Sequence, residues 1–185
     1  PVSGTSNQLN DVAFGANLFV AVGGTGVVLT SPDSTTWTPR TSGTTQNLRN
    51  VKFGNGLFTV VGDGGAVLTS ADGLAWTLRS SGAGVQLFGT AFGAGVQVGV
   101  GNNGGLFSSA DGGATWTVRS GGVITTGYSD VIFGAGKFVT VGLGGLAATS
   151  PDGLTWSQVP AFTTDSLNSV IFAGGSFIAP GNGSA

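Results

Sequence analysis

The chain has 185 residues, of which 36 are Gly, six are Lys or Arg and eight are Asp; it has no Glu, His, Cys or Met, and its net charge is −2. Without Cys or His it has no disulfide framework, zinc or haem ligand set, thiol nucleophile or histidine base, so neither metal nor cofactor is expected. Its few dispersed cations are not the footprint of a nucleic-acid binder, and its apolar runs fall far short of the ~20 residues of a membrane helix.

Glycine at this density suits a disordered chain, yet 40% of the residues are hydrophobic. That is enough apolar surface to offset the entropy of ordering. Recurrence shows the order directly. Phe14, Phe53, Phe92, Phe133 and Phe172 are spaced by 39, 39, 41 and 39 residues, and Trp37, Trp76, Trp116 and Trp156 by 39, 40 and 40. Self-similarity at a fixed period signals stacked supersecondary units.

At the N-terminus, Pro1-Val2-Ser3-Gly4-Thr5 resembles Pro39-Arg40-Thr41-Ser42-Gly43, the segment after the first tryptophan. The N-terminus is therefore expected to supply the end of a closing fourth strand. Residues 9–47 form the first unit. The second, 48–86, shows the pattern most clearly: NVKFG, a turn NG, LFTVVG, a turn DGG, AVLTS, a turn ADGLA, and WTLRS. Short β-branched and aromatic runs broken by Gly, Asn and Asp are strand and hairpin chemistry, because tight hairpins need positive φ. No stretch carries a helical apolar period. Units 87–127 and 128–166 repeat the pattern, and residues 167–185 begin a fifth that stops before its tryptophan. Pro39 and Pro160 fall in the fourth strand, the expected sheet edge. Pro180 replaces the strand-two valine of the other units (Val22, Val61, Val100, Val141) and points to an unpaired side of that strand.

Four-stranded antiparallel units at this period predict an all-β fold, a β-propeller. One domain over residues 1–185 is expected, with five blades and the last incomplete. Closure would come from residues 1–8, from strand exchange with another chain, or from flanking sequence.

Between strands three and four lie Ser31-Pro32-Asp33-Ser34-Thr35-Thr36-Trp37, Ser70-Ala71-Asp72-Gly73-Leu74-Ala75-Trp76, Ser109-Ala110-Asp111-Gly112-Gly113-Ala114-Thr115-Trp116 and Ser150-Pro151-Asp152-Gly153-Leu154-Thr155-Trp156. The third matches S-x-D-x-G-x-T-W, and the chain thereby resembles the Asp-box (bacterial neuraminidase repeat) β-propellers. Asp33, Asp72, Asp111 and Asp152 are expected to lock these turns by accepting backbone N–H groups, and the tryptophans to bury a face against the blade. A calcium role has no D-x-D-x-D-G run behind it.

The resemblance spans sialidases, sortilin-type receptors, polysaccharide hydrolases and a photosystem assembly factor, so it does not set the function. A sialidase needs an arginine cluster and a Tyr nucleophile with a Glu partner. Arg40, Arg79 and Arg119 instead share one position on the outer strand, and Tyr128 has no Glu to activate it. A glycoside hydrolase needs two facing carboxyl groups. Asp11 and Asp130, at one repeat position entering strand one, are the only pair that fits. The chain is read as non-catalytic.

The loops that enter strand one and the turns between strands two and three share one end of the blades, the top face, and they vary most between units. They carry Asn10, Asp11, Arg49, Asn50, Asp63, Asn102, Asn103, Ser129, Asp130, Asn168 and Asn182. Such amides and carboxylates suit a glycan or a protein partner, with Tyr128 or Phe162 as a stacking surface; alternatively they are simply what tight turns use. Lys52 reaches either an axial channel or solvent. Two further readings stay open: a structural subunit of a surface appendage or virion, and a designed or amplified repeat protein without a ligand. A chain rich in Gly, Thr, Ser and Asn and free of Cys and Met suits an extracellular, cell-surface or virion-surface setting.

Overall fold

The computed structural model describes residues 3–82, 84–119 and 126–182. The first blade comprises β1 (Leu9–Gly15), β2 (Leu18–Gly23), β3 (Val28–Ser31) and β4 (Thr38–Arg40). The second comprises β5 (Leu48–Gly54), β6 (Leu57–Gly62), β7 (Ala66–Ser70) and β8 (Thr77–Ser80). The third comprises β9 (Leu87–Gly93), β10 (Val96–Gly101), β11 (Leu106–Ser109) and β12 (Thr117–Arg119), and the fourth β13 (Tyr128–Gly134), β14 (Lys137–Gly142), β15 (Ala147–Ser150) and β16 (Ser157–Val159). Each is a four-stranded antiparallel sheet in sequential order. A fifth unit has only β17 (Ile171–Ala173) and β18 (Ser176–Ile178).

Turn chemistry sets the first hairpin of each blade. Asn55 and Gly56 join β5 to β6 with φ of 51° and 75°. That pair of positive angles matches the twist of the flanking strands. Pro39 pairs with Leu29 from the outer strand, as expected of an edge. Pro160 does not lie in a strand: β16 ends at Val159. The three arginines also sit on outer strands, where Arg40 Nε donates to Thr30 Oγ1 at 2.8 Å and Arg119 Nε to Ser108 Oγ at 2.7 Å.

The blades stack through their first strands, with β1 on β5, β5 on β9, β9 on β13 and β13 on β17. The repeated Phe-Gly pair forms the joint. The ring of Phe53 lies on Gly15, where a Cβ would stand 2.0 Å from it, and Phe92 covers Gly54, Phe133 covers Gly93 and Phe172 covers Gly134 in the same way. Only glycine admits so close an approach. Apolar clusters fill the spaces between neighbouring blades; one joins Val20, Val22 and Val28 of the first blade to Leu48, Val51, Phe58 and Leu68 of the second.

At the two ends of the series the same positions are uncovered. Val12 and Phe14 are 54% and 57% exposed, whereas Val51, the counterpart of Val12 in the second blade, is fully buried. Ile171 and Ile178 of the fifth unit are each half exposed. Closure by the N-terminus is not seen among the described residues: Ser3 and Thr5 bond within their own segment, and β18 has β17 as its only sheet neighbour. Pro1 and Val2 lie outside the described residues. Pro180 acts on the inner side of its strand rather than the outer. Its carbonyl accepts from Asn168 N at 2.9 Å, on the β17 side, and pairing there shrinks to three residues plus the Leu167–Gly181 bridge. A missing donor on that side shortens the first-strand pairing.

Candidate functional site

The position entering strand one carries Asp11, Asn50, Gly89, Asp130 and Ser169 in successive units. Their side chains clasp neighbouring blades. Asp11 Oδ2 accepts from Asn50 Nδ2 at 2.6 Å and Val51 N at 3.0 Å. Asn50 Oδ1 accepts from Thr90 N at 3.1 Å. Asp130 Oδ2 accepts from Ser169 Oγ at 2.8 Å and Val170 N at 3.0 Å. Gly89 has no side chain to offer, and Asp130 Oδ1 takes the Val131 N–H itself, at 2.8 Å. Asp11 Oδ1 does the same for Val12 at 2.9 Å. Lys52 Nζ lies 3.9 Å from Asp11 Oδ2, over this joint. Asp11 and Asp130, the pair at one repeat position expected for acid–base work, are both engaged in blade clasps, with two blades between them.

The other candidate amides are also largely bonded. Asn10 Nδ2 donates to Leu48 O at 2.7 Å, Asn102 Oδ1 accepts from Gln86 N at 3.0 Å, and Asn168 Nδ2 donates to Asn182 Oδ1. Asp63 receives both Arg49 and Asn47 Nδ2. Asn103 is exposed at a turn, with φ of 54°. Tyr128 is not a stacking surface: it occupies the position of Leu48 and Leu87 and is fully buried. Its hydroxyl has no hydrogen-bond partner among the described residues, and burial pushes its pKa up to about 12. Phe162 stays 73% exposed.

The residues next to the clasp, Asn10, Arg49, Phe88, Ser129 and Asn168, differ more. The Arg49 guanidinium stands 5.2 Å from the centre of the Phe88 ring, while Asp63 holds its other edge. Ser129 is too short to cover Phe88 from the fourth blade. An apolar cavity of about 310 Å³ opens there, lined by Phe88, Asn102, Gly127, Tyr128, Ser129 and Leu143. Leu143 is 48% exposed and stands where other blades carry Gly24, Asp63 or Asn102. Phe88 and Leu143 are not among the binding residues expected from the sequence. Their signal was present as apolar residues at two repeat positions that are otherwise polar or Gly.

On the opposite face, the tryptophan turns share one geometry. In the second blade Asp72 Oδ1 accepts from Leu74 N at 2.8 Å, Ala75 N at 3.1 Å and Ser70 Oγ at 3.1 Å, and Trp76 Nε1 donates to Gly73 O at 2.9 Å. Hydrogen bonds to the charged form hold these carboxyls below their ordinary value. Thr36 N, then Thr35 N, lowers Asp33; Ala75 N, then Leu74 N, lowers Asp72; Thr155 N, then Leu154 N, lowers Asp152. Asp111 falls to about 2, chiefly through the Thr115 hydroxyl and then its N–H. Trp37, Trp76 and Trp116 are half-buried and Trp156 is buried.

Among the described residues no three of His, Cys, Asp and Glu are grouped to hold a metal ion. No helix there is long and apolar enough to cross a membrane.

Comparison of the sequence with curated proteins returns no match. Among solved structures, the fold is similar to that of "YCF48 bound to D1 peptide", at 21% identity and a TM-score of 0.74, covering 97% of this chain and 64% of that one. It is also similar to the computationally designed Ika8 protein (14% identity, TM-score 0.73, 96% of this chain and 57% of that one). A third similarity is to the designed Ika4 protein, at 13% identity and a TM-score of 0.64, over 81% of this chain and 94% of that one. The chain thus spans less than two thirds of the length of the first two. Residues 3–126, which hold all the strands of the first three blades, match the family model of the DUF6242 beta propeller domain. The chain belongs to the DUF6242 β-propeller domain family.

Proposed function

We propose that this chain is a non-catalytic propeller module that binds a protein partner, presented as a peptide segment, across the top face of its blades. The apolar opening between Phe88 and Leu143 carries this reading. It suits an apolar side chain of a peptide, flanked by the Arg49–Asp63 pair for polar orientation. The amides that would serve a sugar are mostly held in bonds between and within blades. The similarity to YCF48, solved bound to a peptide, supports the same direction. An extracellular or surface setting belongs to this proposal, and the Cys-free composition supports it.

Display selection of peptides against the chain tests it. Selected peptides should lose at least tenfold in affinity on Phe88→Ala or Leu143→Asp and be unaffected by changes on the opposite face. Glycan binding that is lost on Asn103→Ala and indifferent to Phe88→Ala would replace the protein partner with a sugar. Hydrolysis lost on both Asp11→Asn and Asp130→Asn would overturn the non-catalytic reading.

A further inference from the structure

Asn stands directly before Gly at residues 55–56, 103–104 and 182–183, the last pair lying partly outside the described residues. This dipeptide has a chemistry of its own. Glycine carries no Cβ to block the approach of its backbone nitrogen to the asparagine side-chain amide. The N–Cγ bond forms, the Cγ–Nδ2 bond breaks, and ammonia leaves with a cyclic imide behind it. Water then opens the imide at either carbonyl. One opening gives Asp. The other gives isoaspartate, whose main chain runs through the former side chain and is longer by one methylene.

The fold treats the first two pairs differently. Asn55 and Asn103 are both exposed, with φ of 51° and 54°, and neither side chain has a hydrogen-bond partner among the described residues. The difference lies at the nucleophile. Gly104 N donates to Thr126 O at 2.6 Å, which ties the turn of the third blade to the loop that follows it. That nitrogen keeps its proton until the turn opens. Gly56 N has no such partner among the described residues, and a Cβ on Gly56 would meet nothing within 4 Å. The tryptophan turns of the second and fourth blades hold their Asp-Gly pairs as the third blade holds Gly104: Gly73 N and Gly153 N donate to Ser70 Oγ and Ser150 Oγ, each at 2.8 Å. In the other blades the turn equivalent to Asn55-Gly56 reads Ala16-Asn17, Ala94-Gly95 and Ala135-Gly136, with no asparagine before glycine.

We propose that Asn55-Gly56 is a modification site, at which the folded chain converts spontaneously to Asp and isoaspartate with water as the co-reactant, while the fold withholds Asn103-Gly104 from the same reaction. The consequence follows from what the turn aligns. Its two residues set Gly54 opposite Leu57 and Phe53 opposite Phe58. Those rings, 4.6 Å apart, hold the joint between the first and second blades: Phe53 lies on Gly15, and Phe58 is buried in the cluster that joins the two blades. Isoaspartate lengthens the turn and loosens this joint. Asp keeps the chain length and remains compatible with the turn.

The test incubates the whole chain at mildly alkaline pH, below its unfolding temperature, and maps the products by mass spectrometry with enzymatic methylation of isoaspartate. Conversion at Asn55 is expected to run at least tenfold faster than at Asn103 in the folded chain. In urea, where the Thr126 bond is gone, the ratio should fall below threefold. Asn55→Asp should unfold at the same urea concentration as the parent chain, and the purified isoaspartate form at a lower one. Equal rates at the two sites in the folded chain, or conversion at Asn55 in urea alone, would overturn the site. An isoaspartate form that unfolds together with the parent, or an Asn55→Asp variant that falls as far as the isoaspartate form, would overturn the loosening of the joint by a longer backbone.

Discussion

At the scale of single residues, departures from the repeat come in matched pairs. Gln97 stands where the other blades have Phe19, Phe58 and Phe138, and Thr59 where they have Val20, Val98 and Val139. The two are buried and meet across the interface of the second and third blades, with Gln97 Nε2 donating to Thr59 Oγ1 and Gln97 Oε1 left without a partner among the described residues. Losing one partner of a buried hydrogen bond costs about 1–3 kcal/mol. Thr59→Val or Gln97→Phe alone should cost that much in urea unfolding, and the double variant should recover to at least the stability of the parent chain. Tyr128→Phe, which removes the unpartnered buried hydroxyl, should stabilise by about 1 kcal/mol in the same measurement. The turn aspartates set the acid limit. Their folded pKa values lie below the ordinary 3.8, so their contribution is complete above that value and is lost as pH falls, down to about 2 for Asp111. The melting temperature should therefore hold near neutral pH and decline below about pH 4. Asp72→Asn and Asp111→Asn should flatten that decline, modestly because these groups are exposed.

At the scale of strands and turns, the blade was readable because its grammar is local. Hairpin turns, alternating strands and tryptophan turns each depend on residues within a few positions, and the second unit spelled all of them. Two expectations failed, the second for a non-local reason. Pro160 lies beyond its strand, and Tyr128 is interior because its position faces a neighbouring blade. The Phe-Gly pair was the plainest mark of the repeat, but its purpose appears only when Phe92 is seen against Gly54. Gly54→Ala would put a Cβ 2.7 Å from Phe92. It should destabilise by about 1–3 kcal/mol, as overpacking does. Ala173, at the same position in the fifth unit, is exposed, and Ala173→Gly should change stability by less than 0.5 kcal/mol or so. Calorimetry of the two variants checks the contrast.

At the scale of the whole molecule, the two ends of the series carry side chains where internal joints require glycine. Ala173 stands where Gly15, Gly54, Gly93 and Gly134 receive a phenylalanine ring, and Ser34 stands where Gly73 and Gly153 rest on the preceding blade. Docking the first blade of one copy on the fifth unit of another in the internal register would drive Phe14 into the Ala173 Cβ. Sedimentation should show no head-to-tail association at concentrations where a blade interface would saturate. Replacing Ala173 and Ser34 together by glycine should raise self-association.

The sequence alone determined the kind of unit, its number and the position of each turn, because period, turn residues and strand alternation are properties of neighbouring residues. Its lack of Cys and His also left no residue for disulfide, thiol or histidine-base chemistry. Tertiary structure alone decided what the polar top-face residues do. Asp11, Asn50 and Asp130 looked like free ligand groups in a linear reading, and each bonds a partner about 40 residues away in the next blade. That distance in sequence becomes contact only when blades stack, and the same stacking leaves Phe88 half-buried beside Ser129.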